Sequence, residues 1–191
     1  MRFNFLGNFA TLATLTGAVL AMTTAPAEAE WITYISHPLG VSFKGPPGMT
    51  MKKGTYRSDL SGSHDAIIYH VAEDNIEYTA TVVDLSAQEN NAANILGEAE
   101  YGFQEGNKIL MDTFAELDDL YGRKIAVDHA AKHDRSTAAF YFVNGRLISV
   151  EATVLPANGD FGTPNMGLFV DSIAFHPQRV PPDSTELPPP K

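Results

Sequence analysis

Residues 140–156, FYFVNGRLISVEATVLP, place two apolar runs on either side of Asn144-Gly145. Asn-Gly is the preferred pair for a two-residue type I′ turn, because both positions need positive φ. Closing the loop there sets Val143 opposite Arg146, Phe142 opposite Leu147, Tyr141 opposite Ile148 and Ala139 opposite Val150. Side chains alternate along a strand, so the two faces can be read separately. One carries Ala138, Phe140, Phe142, Leu147 and Ser149; the other carries Ala139, Tyr141, Val143, Ile148, Val150 and Val154. Both are apolar, whereas a sheet with one wet face shows a polar residue at every second position. The hairpin therefore belongs at the centre of a sheet covered on each side. It is core, not site.

Two helical segments are available as covers. Ser86-Ala87-Gln88-Glu89 has the form of a capping box, in which the Ser hydroxyl accepts from the backbone and the Glu reaches back. The helix it opens is expected to run to about Gly106, with Ala92, Ile95, Leu96, Ala99 and Phe103 on one face. Gly97, Gly102 and Gly106 each weaken it by about 1 kcal/mol against Ala, and close approach to whatever the helix covers would offset that. A shorter helix begins where Thr163 can cap and Pro164 takes the first position. Met166, Phe169 and Val170 give it an inner face.

The remaining strands follow from β-branched and aromatic runs between turn residues. WITYI (31–35) and VSFKG (41–45) are joined through Pro38 and Gly40. MTMKKGTYRS reads as an edge strand, its Lys52, Lys53 and Arg57 discouraging pairing with another chain. AIIYHVA (66–72) and NIEYTATVVDL (75–85) bracket a hairpin turn, and KILMDTFAEL (108–117) pairs with GRKIAVDHA (122–130) through residues 118–122. SIAF (172–175) closes the set, and VPPDSTELPPPK (180–191) reads as an extended tail. The expected fold is α+β: a central antiparallel sheet of about six to eight strands with helices on both faces.

The order of elements also resembles a known family. Trp31 and Tyr34 in the first strand, the turn into VSFKGPPG, one long mid-chain helix, LYGRKIAVD, the 140–156 hairpin and the closing Phe169–Phe175 segment are similar to the PsbP-like superfamily. The resemblance spans roughly residues 31–177 and implies an α/β/α sandwich. Characterised members are binding or assembly proteins rather than enzymes. The shared motifs are core and turn residues, so no functional residue is carried over.

The totals bound function by exclusion. The chain has 191 residues, no Cys, 13 Lys+Arg and 23 Asp+Glu, for a formal charge of −10. Such a surface disfavours nucleic acid and anionic membranes. Without Cys there are no disulfides, thiolate nucleophiles or Cys-ligated metals. Residues 9–22, FATLATLTGAVLAM, follow Arg2 and are too short to span a bilayer comfortably. Ala27 and Ala29 then give the A-x-A pattern that a signal peptidase reads, which places cleavage between Ala29 and Glu30. The expected division is a signal peptide over 1–29, one domain over 30–177 and a disordered Pro-rich tail over 178–191. Processing removes Arg2 and Glu28 together, so the charge is unchanged. The product is expected to be periplasmic or secreted, with no later membrane span.

Two clusters invite chemistry. In DHAAKHD (128–134), His129, His133 and Asp134 could offer imidazole and carboxylate to Zn²⁺ or Cu²⁺, although a site needs three or four convergent ligands and the segment reads as a loop. Ser63-His64-Asp65 holds the residue types of a hydrolase triad, but such triads are assembled from separate elements and the stretch reads as a turn. No Gly-rich phosphate loop runs from a strand into a helix. The sequence thus leads to an exported, non-catalytic binding or accessory protein without a cofactor, its partner a protein or small molecule. A metal-binding protein is the alternative and a hydrolase the third reading.

Overall fold

Asn144 and Gly145 take φ of 50° and 71°, the type I′ conformation. Around them the computed structural model, which describes residues 30–117, 119–175 and 184–188, forms a seven-stranded antiparallel sheet. Its strands are β3 (Thr50–Ser58), β4 (Gly62–Glu73), β5 (Ile76–Asp84), β6 (Lys108–Leu117), β7 (Leu120–His129), β8 (Asp134–Val143) and β9 (Arg146–Val154). They run in the order β3-β4-β5-β9-β8-β7-β6, which puts the β8–β9 hairpin at the centre. The register is the expected one, with Val143 opposite Arg146, Phe142 opposite Leu147 and Tyr141 opposite Ile148. Asp74 and Asn75, at φ 51° and 58°, form a second turn of the same kind between β4 and β5.

Each face of the hairpin meets a different layer. Helix α1 (Ala92–Gln104) lays Ile95 over Val83 and Leu147, and Leu96, Ala99 and Phe103 over Ile125, Val127, Ala138 and Phe140. The opposite face, with Tyr69, Tyr78, Tyr141, Ile148 and Val150, packs on helix α2 (Pro164–Val170) and on a second sheet. That sheet holds β1 (Ile32–Ser36), β2 (Val41–Gly45), β10 (Ala174–Phe175) and β11 (Ser184–Glu186), in the order β10-β2-β1-β11. Strands thus make up much of the cover that was expected to be helical on this face. Short apolar runs report burial, not which sheet they join.

Other expectations are corrected locally. No side-chain cap forms at the start of α1, and a 3₁₀ segment, Ser86–Asn91, comes before it. Asp84 Oδ1 accepts from Ser86 N at 3.0 Å instead. The helix glycines do not mark close approach, because a Cβ built on Gly97 or Gly102 meets nothing within 4 Å. Ser63-His64-Asp65 lies inside β4, opposite Arg57, Tyr56 and Thr55, and is not a turn. Within the tail expected to be disordered, β11 pairs parallel with β1 and Leu187 is buried. The expected signal peptide, residues 1–29, lies outside the described residues.

Candidate functional site

The 128–134 segment is the end of one strand, a turn, and the start of the next. Alternation therefore divides its side chains between faces. Asp128 pairs across the strands with Arg135, whose Nε donates to Asp128 Oδ1 at 2.7 Å and whose guanidinium reaches the Phe161 carbonyl at 3.3 Å. The hydrogen bond from Arg135 holds the Asp128 carboxyl below its ordinary pKa. His129 and Asp134 face each other on the α1 side, with His129 Nε2 3.9 Å from Asp134 Oδ1. His133 sits exposed in the turn at φ 57°.

Both nitrogens of His129 are already engaged. Asn107 Nδ2 donates to the Phe103 carbonyl at 3.0 Å, which turns Asn107 Oδ1 toward His129 Nδ1, also at 3.0 Å. An amide oxygen only accepts, so Nδ1 carries the proton of that bond. His129 Nε2 lies 3.0 Å from Ser136 Oγ, which is 2.7 Å from Thr153 Oγ1, which donates to Glu151 Oε1 at 3.0 Å. A metal at His129 would have to displace one of these bonds. Among the described residues, no three His, Asp or Glu come together to hold a metal ion.

Asn107, His129 and Ser136 have the distances of orienter, base and nucleophile in acyl-transfer enzymes. Ser136, however, is only 1% exposed, so its hydroxyl cannot meet a substrate carbonyl. The network is a polar strut joining β7, β8 and β9 to the loop after α1. His64, from the other sequence cluster, lies with its Nε2 2.8 Å from Ser61 Oγ and 3.1 Å from the Ser61 carbonyl within the β3–β4 hairpin, a local turn contact.

An open cleft lies elsewhere, beside α1. Glu98, Tyr101, Gly102 and Glu105 recur at helical spacing and form a stripe next to the core-facing one. Together with the sheet they enclose about 450 Å³. Thr81, Val83, Phe140, Leu147 and Ser149 line its floor, and Tyr56 with the β3–β4 turn makes the far wall. The volume falls in the range of small-molecule sites, as does an apolar lining with a few polar groups. The Glu98 carboxylate ties α1 to that wall, accepting from Ser58 Oγ at 2.7 Å and from the Asp59 backbone N–H. Burial, and then the nearby Glu98, push the Tyr56 hydroxyl up to about 12. It therefore stays a neutral donor at physiological pH. Helical periodicity in the sequence reads Tyr101 as core, whereas it is 66% exposed and lines the cleft.

No protein-family model matches the chain, and no curated protein matches it in sequence. Among solved structures it is similar to cyanobacterial PsbP (CyanoP) from Synechocystis sp. PCC 6803, in solution. The two are 10% identical over 82% of this chain and 98% of that one, with a TM-score of 0.48. No described helix is long and apolar enough to cross a membrane.

Proposed function

We propose that the protein is an exported, non-catalytic binding module whose ligand is a small molecule held in the cleft between α1 and the seven-stranded sheet. One observation carries this reading: the cleft is preformed, apolar at its floor and polar at its rim, while the His129 cluster is closed by its own hydrogen bonds. The same reading takes the fold as a layered sandwich, with α1 covering one face and α2, set within the smaller sheet's layer, covering part of the other. Zn²⁺ or Cu²⁺ binding and hydrolysis find less support, since His129 has no free ring nitrogen and Ser136 is buried.

Gly102→Leu tests the site without harming the fold. Leu replaces Gly at a helical position where added atoms meet open space, so helix propensity alone favours the variant by roughly 0.8 kcal/mol. We expect an unchanged or slightly raised melting temperature together with loss of small-molecule binding in a ligand-observed NMR screen of aromatic amines, acids and alcohols. Hits that bind the variant as well as the parent would move the site elsewhere.

Export is expected to proceed with cleavage between Ala29 and Glu30, on the apolar stretch and A-x-A pattern of the N-terminus. N-terminal sequencing of the protein from the envelope fraction should begin at Glu30. Recovery of a product that still starts at Met1 would overturn this.

A further inference from the structure

Resting on the cleft as the ligand site, we propose that its ligand is an organic cation: an aromatic or otherwise flat apolar body bearing an ammonium group. Three independent features of the cleft select that charge.

The first is the balance of ionised groups. Glu98 and Glu105 stand on the α1 stripe and Asp59 on the opposite turn, with Arg57 as the lining cation. Arg57 thus stands against three lining carboxylates, a net formal charge of 1 − 3 = −2. The cleft lining therefore stays net negative, on a chain whose formal charge is −10.

The second is the helix itself. α1 ends at Gln104, beside Gly102 and Glu105 on the cleft wall, and no basic residue occupies its last turn. The carbonyls at a helix C-terminus carry partial negative charge, which attracts cations and repels anions. In α1 no side-chain cation within the last turn offsets that charge.

The third is the rings. Phe103 and Phe140 meet edge to face at 5.4 Å, and Tyr101, at 66% exposed, leaves most of its ring free at the mouth. Aromatic faces attract ammonium groups, most strongly where water is partly excluded. The acidic rim and the rings thus favour the same sign of charge, while an anionic ligand would meet repulsion from both carboxylates and helix end.

Three probes with one body and different heads decide the matter: phenethylammonium, phenethyl alcohol and hydrocinnamate, titrated into the protein by NMR at physiological ionic strength. We expect the ammonium to bind roughly tenfold tighter than the alcohol, with hydrocinnamate weakest. Glu105→Gln should weaken the ammonium selectively, and Gly102→Leu should abolish binding of all three probes. If the three bind alike and Gly102→Leu blocks them, charge selection is wrong and the cleft reading survives. Binding of none of the probes overturns both readings. Ammonium binding indifferent to both substitutions overturns the proposal as well, because it places the cation on the acidic surface outside the cleft.

Discussion

Phe169→Ala is expected to cost about 3–5 kcal/mol, the upper range for truncating a buried aromatic. Phe169 lies on the inner face of α2 and is fully buried. Its ring meets Phe43 of β2 at 5.8 Å and Tyr78 of β5 at 5.2 Å, both edge to face. It is therefore the contact through which the helix, the smaller sheet and the central sheet hold one another. Two of its neighbours are on strands fixed by their own ladders, so the space it leaves can close only partly. Gly45, whose added Cβ would stand 3.5 Å from the ring, offers no side chain to fill the gap. Urea unfolding should show a lower midpoint with an unchanged slope, since the change is in stability and not in the surface exposed. A loss under about 1 kcal/mol would mean that this layer repacks and is not the second half of the core.

The central hairpin was legible because a two-residue Asn-Gly turn leaves no freedom of register. Once Val143 faces Arg146, every side chain of both strands is assigned to a face, and the two apolar faces then demand two covers. The core stripe of α1 and the inner face of α2 followed from helical spacing for the same reason: a period constrains many residues at once. Features without a period stayed hidden. The β3–β4 hairpin tip, with Ser63-His64-Asp65, is largely exposed and so shows little of the apolar alternation that signals a strand. The partition into two sheets depends on β2 pairing with β10, and β1 with β11, partners more than a hundred residues away. No local pattern announces that.

The candidate site was less legible still. Sequence adjacency suggested that His129, His133 and Asp134 act together, but the strand-turn-strand geometry leaves His133 in solvent and gives His129 to Asn107 and Ser136. Those partners come from a loop and a neighbouring strand, and neither forms a motif with His129. The cleft is harder again to foresee, because it is defined by atoms that are missing. Gly97 and Gly102 looked like residues chosen for tight packing, yet their surroundings are open. In a helix, a glycine with no steric demand costs stability, and at Gly102 the space it leaves is part of the cleft.

Removing residues 178–191 is expected to destabilise the protein by about 2–5 kcal/mol, the range for losing one large buried aliphatic side chain. Composition alone argued the reverse, since a Pro-rich stretch has little apolar surface with which to offset the entropy of being ordered. Leu187 supplies that surface. It is 1% exposed within the same core cluster as Tyr69, Phe43 and Phe169. Its N–H donates to the Ile35 carbonyl at 2.7 Å, continuing the parallel ladder in which Thr33, Tyr34 and Ile35 face Ser184, Thr185 and Glu186. Without β11 that side of β1 becomes an unpaired edge, and Tyr69, whose hydroxyl points to the Pro188 carbonyl at 3.5 Å, loses part of its cover. Leu187→Ala separates side-chain burial from strand pairing, because it keeps the ladder and removes the anchor. If burial dominates, the point variant should lose most of what the truncation loses; if the ladder dominates, only the truncation should fall sharply. Thermal unfolding of both beside the parent decides between these, and a truncated protein that melts with the parent would show that the 184–188 segment is not held by the core.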